Sequence, residues 1–174
     1  MQRNRLYFLA AMPRKGKDMH KVYLVGPIGG KTYGEAIGWR TIVSKALRYK
    51  GFEPICPMTG KQVLNDGNKI GTGLNNATAV KNGTILHTDL YRVRESDIIL
   101  VNFLDIKVGE TTTPPIGSLI EIGYASALRK LIVVVATDPY VQQHPFIAGL
   151  SVVVSTMEEA IQVIENAPGG RGDE

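Results

Sequence analysis

Gly117-Ser118-Leu119-Ile120-Glu121-Ile122-Gly123-Tyr124-Ala125, followed by Leu131-Ile132-Val133-Val134-Val135, is the stretch that decides the fold. A glycine turn, a helix and a buried strand succeed one another there. The helical segment is apolar almost all round until Arg129-Lys130, which predicts burial. One acid, Glu121, interrupts it. Ser118-Leu-Ile-Glu121 matches a capping box, with Ser118 capping the helix and Glu121 in its first turn. A carboxylate among Leu119, Ile120, Ile122 and Ala125 is equally what a chemical role would require, because burying it without a partner is costly. Local sequence leaves both open.

The same strand and helix periods recur on either side. Val22–Val25 reads as a short buried strand ending at Gly26-Pro27, and Tyr33 to Tyr49 as a helix whose apolar face holds Ala36, Ile37, Trp39, Ile42, Val43, Ala46 and Leu47. Gly51 stands where helices end. Phe52–Ile55 is a second strand, placed at a sheet edge by Pro54. Residues 59–84 are polar and Gly/Asn-rich, the composition of a binding loop. Ile85 to Ser96 predicts a helix with a buried stripe of Leu86, Leu90 and Val93, and Ile98–Val101 a third strand. Residues 131–136 make a fourth strand, Val152–Val154 a fifth, and Met157 to Ile164 a final helix. Strands alternating with helices predict an α/β fold with a doubly wound, mostly parallel five-stranded sheet and helices on both faces.

Composition narrows the function classes. The chain has 174 residues, 44% of them hydrophobic, enough for one domain with a sizeable core. The domain is expected over residues 19–166, between a basic, flexible extension at 1–18 and a disordered tail at 167–174. The net charge of +4 misleads: residues 1–18 carry five basic side chains against Asp18, and the rest of the chain balances. The body therefore offers no basic excess for a nucleic acid polymer. No apolar run reaches the roughly 20 residues of a membrane span. A single cysteine, Cys56, fits a reducing compartment, and a cytoplasmic location is expected.

In doubly wound sheets, ligands bind beyond the carboxyl ends of the strands. Gly26 to Lys31, Asn102 to Asp105 and the helix entry at Gly117 to Glu121 all fall there. Gly29-Gly-Lys-Thr32 is not a phosphate-binding P-loop, since the motif needs glycine at position 25, which is Val25. Gly26 to Gly30 instead suits close approach of the backbone to a small ligand. Asp89 borders its helix's apolar stripe, where it either serves chemistry or pairs locally with Arg92, Arg94 or Thr88. Asp97 reads as a turn-former. His87, His144 and Cys56 lack metal-ligand spacing, so no metal is expected.

Val22-Tyr-Leu-Val-Gly-Pro-Ile-Gly-Gly30, Thr88-Asp-Leu-Tyr-Arg-Val-Arg-Glu-Ser-Asp-Ile-Ile-Leu-Val-Asn102 and Gly117-Ser-Leu-Ile-Glu-Ile-Gly-Tyr-Ala125 together resemble the nucleoside 2-deoxyribosyltransferase family, in its order and over about 22–164. The family includes relatives that hydrolyse deoxynucleoside monophosphates. The resemblance implies a flavodoxin-like fold, a homo-oligomer and no cofactor. It implies a nucleoside or nucleotide and a free nucleobase as small-molecule partners. It places the family's nucleophile on Glu121, its active-site aspartate on Asp89, and on Tyr23 the tyrosine that orients the nucleophile. Substrate contacts fall on Gly26, Pro27, Ile28, Gly117, Ser118 and Asp97. A loop that completes a neighbouring subunit's pocket falls near His144, Pro145 and Phe146. Where the family's transferases carry an aspartate and its hydrolases a serine, this chain has Pro115. Asp105, Glu110, Thr111 to Thr113 and Ser118 are the nearby polar substitutes, and Lys31, Lys61, Lys69 and Lys81 the loop cations.

Overall fold

The computed structural model describes residues 19–65, 67–71, 84–108 and 114–167, without the side chains of Val63 and Thr84. The expected extension 1–18, tail residues 168–174, Lys81, Glu110, Thr111 to Thr113 and much of 59–84 lie outside the described residues. Within them, strands β1 (Lys21–Val25), β2 (Glu53–Ile55), β3 (Ile98–Asn102), β4 (Leu131–Val135) and β5 (Val152–Val154) form one sheet. Their order is β2-β1-β3-β4-β5 and every pairing is parallel. This is the flavodoxin-like doubly wound arrangement. β2 lies at the edge, where Pro54 sits opposite Val22.

The helices are α1 (Tyr33–Tyr49), α2 (Thr84–Glu95), α3 (Ile116–Ala127), α4 (Pro139–Gln143), α5 (Pro145–Leu150) and α6 (Met157–Glu165). Strand alternation divides them between the two faces. Val22, Leu24, Leu100, Val133 and Val135 pack against Val43 and Leu47 of α1 and Ala160 and Ile164 of α6. Tyr23, Val25, Ile99, Val101, Ile132 and Val134 pack against Val93 of α2, Ile122 and Ala125 of α3, Val141 of α4 and Ile147 of α5. Both faces are covered, so the strands are continuous apolar runs rather than alternating ones. Among the described residues no helix is long and apolar enough to cross a membrane.

Several local expectations need correcting. α3 begins at Ile116, with Pro115 as an N-cap that lends no side-chain hydrogen bond. Gly117 is thus helical rather than a turn residue, Ser118 is buried inside the helix, and Glu121 lies beyond the first turn. The Ser118–Glu121 capping box does not form. The physical reason is that Pro115, with φ −67° and ψ 133°, already supplies the extended residue from which a helix can start. Nor is α3 buried all round: Ser118, Ile122 and Ala125 face the sheet, while Ile116, Leu119 and Ile120 are exposed. Leu86 and Ile42, assigned to buried stripes, are exposed as well.

Candidate active site

Sheet alternation points Tyr23, in the middle of β1, toward α2 and α3, with its ring wholly buried. Glu121 lies on the side of α3 that carries the buried Ser118 and Ala125, three and four residues away. The Tyr23 hydroxyl donates to Oε1 of Glu121 at 2.8 Å. Asp89, on α2, acts electrostatically on both of them. Three residues from three elements, spread over nearly a hundred positions, meet at one place.

Their ionisation follows from burial. Glu121 is pushed up to about 7, first by desolvation, with the Tyr23 hydrogen bond opposing and the Asp89 charge adding to the rise. Tyr23 is pushed far above its ordinary value by burial and by the two carboxylates, so its hydroxyl stays protonated and remains a donor. Asp89 is also raised by burial, against the pull of Lys61 and Arg92. Lys61 Nζ lies 3.4 and 3.2 Å from the two Asp89 carboxylate oxygens, and Arg92 Nη1 lies 3.5 Å from Oδ1. The local pairing with Arg92 is real, and it coexists with proximity to Glu121.

Beneath the turn after β1 lies Arg40, which the sequence reading missed. It is 1% exposed, and its guanidinium donates to the carbonyls of Leu24 (3.2 Å), Gly26 (2.9 Å) and Ala36. Burial lowers its pKa, while Tyr23, Glu121 and Asp89 pull it back up. A signal existed: position 40 lies four residues after Ala36 and three before Val43, on the buried face of α1. Arg40 ties α1 to the end of β1 and so fixes where the first loop leaves the sheet. Gly26 is required by packing, because a Cβ there would lie 3.0 Å from Trp39 Cζ2 and 3.2 Å from the Asn102 carbonyl oxygen.

The other expected substrate residues disperse. Pro27 lines a narrow cleft at the carboxyl ends of β1 and β3 with Trp39, Asn102 and a Lys31–Asp105 ion pair of 3.1 Å. Ile28 packs into a satellite cluster with Ala36, Met58 and Ile70. Asp97 belongs to the opposite end of the sheet: it precedes β3 and accepts from the Lys21 backbone N–H at 2.8 Å, which removes it from the site. His144, Pro145 and Phe146 form a helix junction rather than a loop, with His144 ending α4 and capping α5, and Phe146 exposed. Among the described residues no group of three or more His, Cys, Asp or Glu side chains gathers as a metal site.

The family model described as nucleoside 2-deoxyribosyltransferase matches residues 22–162, a span that holds all three site residues. The chain belongs to the nucleoside 2-deoxyribosyltransferase family. Solved structures agree at the level of the fold. A 2-desoxiribosyltransferase from Leishmania mexicana is similar with a TM-score of 0.56 at 16% identity, over 84% of this chain and 97% of that one. A 2-deoxyribosyltransferase from Bacillus psychrosaccharolyticus gives 0.54 at 16%, over 86% and 93%. A molybdenum cofactor carrier protein from Chlamydomonas reinhardtii gives 0.53 at 15%, over 85% and 97%. No curated protein matches the chain. The deoxyribosyltransferase fold is thus shared with carrier proteins, and the choice of activity has to come from the side chains.

Proposed function

We propose that this member of the family is a nucleoside 2-deoxyribosyltransferase that works through a covalent glycosyl-enzyme. The observation that carries the proposal is the 2.8 Å hydrogen bond from Tyr23 to one oxygen of Glu121. It fixes Oε1 and leaves Oε2 free to attack. Oε2 donates a lone pair to C1′ of the sugar as the C1′–N bond breaks, and the bonding electrons leave with the base, which takes up a proton from solvent water. A second base then attacks C1′ through nitrogen, the C1′–Oε2 bond breaks to return Glu121 as a carboxylate, and the base gives up its proton to solvent. Asp89 accepts a hydrogen bond from a sugar hydroxyl and holds C1′ in line. Small-molecule nucleosides and free bases are the partners, no cofactor takes part, and the protein acts as a homo-oligomer in the cytoplasm. No membrane or nucleic acid polymer is involved.

A second outcome uses the same first half. Pro115 brings no hydrogen-bonding side chain to the entry of α3, where an incoming base would need one. That favours water as the acceptor, which would make the protein an N-glycosidase of deoxynucleosides or their 5′-monophosphates. Chromatography of wild type and Glu121→Ala, incubated with both substrate classes and with or without a second base, separates these outcomes. Glu121-dependent exchange supports the transferase, and base release without exchange supports the hydrolase. No turnover on any substrate, with ligand-induced stabilisation retained in Glu121→Ala, overturns both in favour of a non-catalytic binder of nucleotide derivatives.

A further inference from the structure

Lys61 lies in the polar segment after β2, where lysines are ordinarily solvated, yet its side chain is 14% exposed and is paired with Asp89, whose side chain is 13% exposed. Its position is built rather than fortuitous. Arg92 of α2 donates to the carbonyls of Pro57 (3.1 Å) and Thr59 (3.3 Å), which pins the segment leading to Lys61 onto the helix that carries Asp89. The Lys61 backbone N–H adds a bond to the Met58 carbonyl at 3.0 Å. The groups acting on Asp89 are therefore Lys61 from the loop, Arg92 from its own helix and Tyr23 from β1. Glu121 is acted on by Tyr23, by Asp89, by Arg40 from α1 and more weakly by Lys61, and among the described residues it has no cation within ion-pair distance. Two carboxylates thus share one buried site, with the cations bonded to only one of them.

We propose that Lys61, paired with Asp89 and not with Glu121, is a positioning residue that keeps Asp89 ionised, so that of the two acids Glu121 is the one that holds a proton. Carboxylates in one site cannot both ionise freely, and the member with the better cationic partner ionises first. With Lys61 in place, Asp89 is an acceptor for a substrate hydroxyl and does not deliver a proton to the departing base. Without it, the proton moves to Asp89, and Glu121, freed from a neighbouring negative charge, titrates lower. This rests on the proposed function only for its catalytic consequence; the order of ionisation concerns the free protein.

The test is a pH titration of the side-chain carboxyl carbons by NMR in 13C-labelled wild type, Lys61→Met and Lys61→Arg, with Asp89→Asn and Glu121→Gln used to assign the two steps. In wild type the Asp89 step should lie below the Glu121 step. In Lys61→Met the Asp89 step should rise by about one pH unit or more and the Glu121 step should fall, and Lys61→Arg should restore the wild-type order. Unmoved steps in Lys61→Met overturn the proposal, as does failure of Lys61→Arg to restore them. Lys61→Gln, which is polar and similar in length, serves if the methionine variant does not fold. No turnover is needed for this measurement. An inactive wild type with shifted steps counts against the enzyme alone, while an active wild type with unshifted steps counts against Lys61 alone.

Discussion

At the scale of the residue, burial makes the ionised form of Glu121 costly, so the carboxylate is destabilised in the folded protein. Its folded pKa of about 7 stands above the ordinary 4.5, so between those values the native state binds more protons than the unfolded chain. Stability from this group is full below 4.5 and is lost as pH rises through about 7. Glu121→Gln keeps an oxygen for the Tyr23 hydroxyl and removes the charge. The variant should therefore be more stable than wild type at pH 8, on the order of 2–3 kcal/mol, with the gap narrowing toward pH 5. Urea unfolding at the two pH values reads this directly, and an equal difference at both would show that the raised ionisation is absent. In the proposed mechanism the active form is the carboxylate, so kcat/KM of wild type should climb with pH through the same window. Glu121 and Asp89 were legible as individuals because each breaks its element's pattern, an acid in an apolar helix and an acid beside an apolar stripe, whereas Tyr23 was legible only through the family resemblance. That Lys61 closes over Asp89 was not legible, since loop contacts have no period to read.

At the scale of the element, the strands and most helices followed from periodicity, while helix starts did not. Ser118 lost the N-cap to Pro115 because the extended backbone of a proline at that place sets the start, whatever side chain comes later. Thr32, by contrast, caps α1 with the full reciprocal box to Glu35. α4 and α5 were missed because five- and six-residue helices show barely more than one turn of pattern. Glycines separate in the same way by surroundings that sequence does not show. Gly26→Ala places a methyl 3.0 Å from the Trp39 ring and 3.2 Å from the Asn102 carbonyl oxygen, so it should cost about 1–3 kcal/mol. Gly34, inside α1 with open space around it, should gain about 0.5–1 kcal/mol as alanine. Thermal unfolding of the two variants beside wild type measures opposite signs, and a neutral Gly26→Ala would mean that the first loop can shift without loss.

At the scale of the whole molecule, the apolar character of α3 still asks for an explanation that a single chain does not provide. One face is spent on the sheet, and the other presents Ile116 at 76%, Ile120 at 47% and Leu119 at 40% exposure. α5 packs beside α3 and adds Phe146 at 71% and Leu150 at 38%. Scattered exposed apolar residues are ordinary on a protein surface; a cluster on two adjoining helices is what a subunit interface needs. Glu121 is carried by the same helix, α3, so in the proposed mechanism association there would bear on whether a base or water resolves the glycosyl-enzyme. Ile120→Glu and Phe146→Glu should each lower the mass found by light scattering after size exclusion, with Tm falling in step because the native assembly loses a partner. Ile42→Glu, at a 71% exposed position on α1 across the sheet, should leave the mass unchanged. If wild type is monomeric at micromolar concentration, the cluster is not a self-interface and the site works open to solvent. The balance between exchange and hydrolysis in wild type should then shift toward hydrolysis. If the two glutamate variants are monomeric and retain base release but lose exchange, the interface is what holds water back from Glu121.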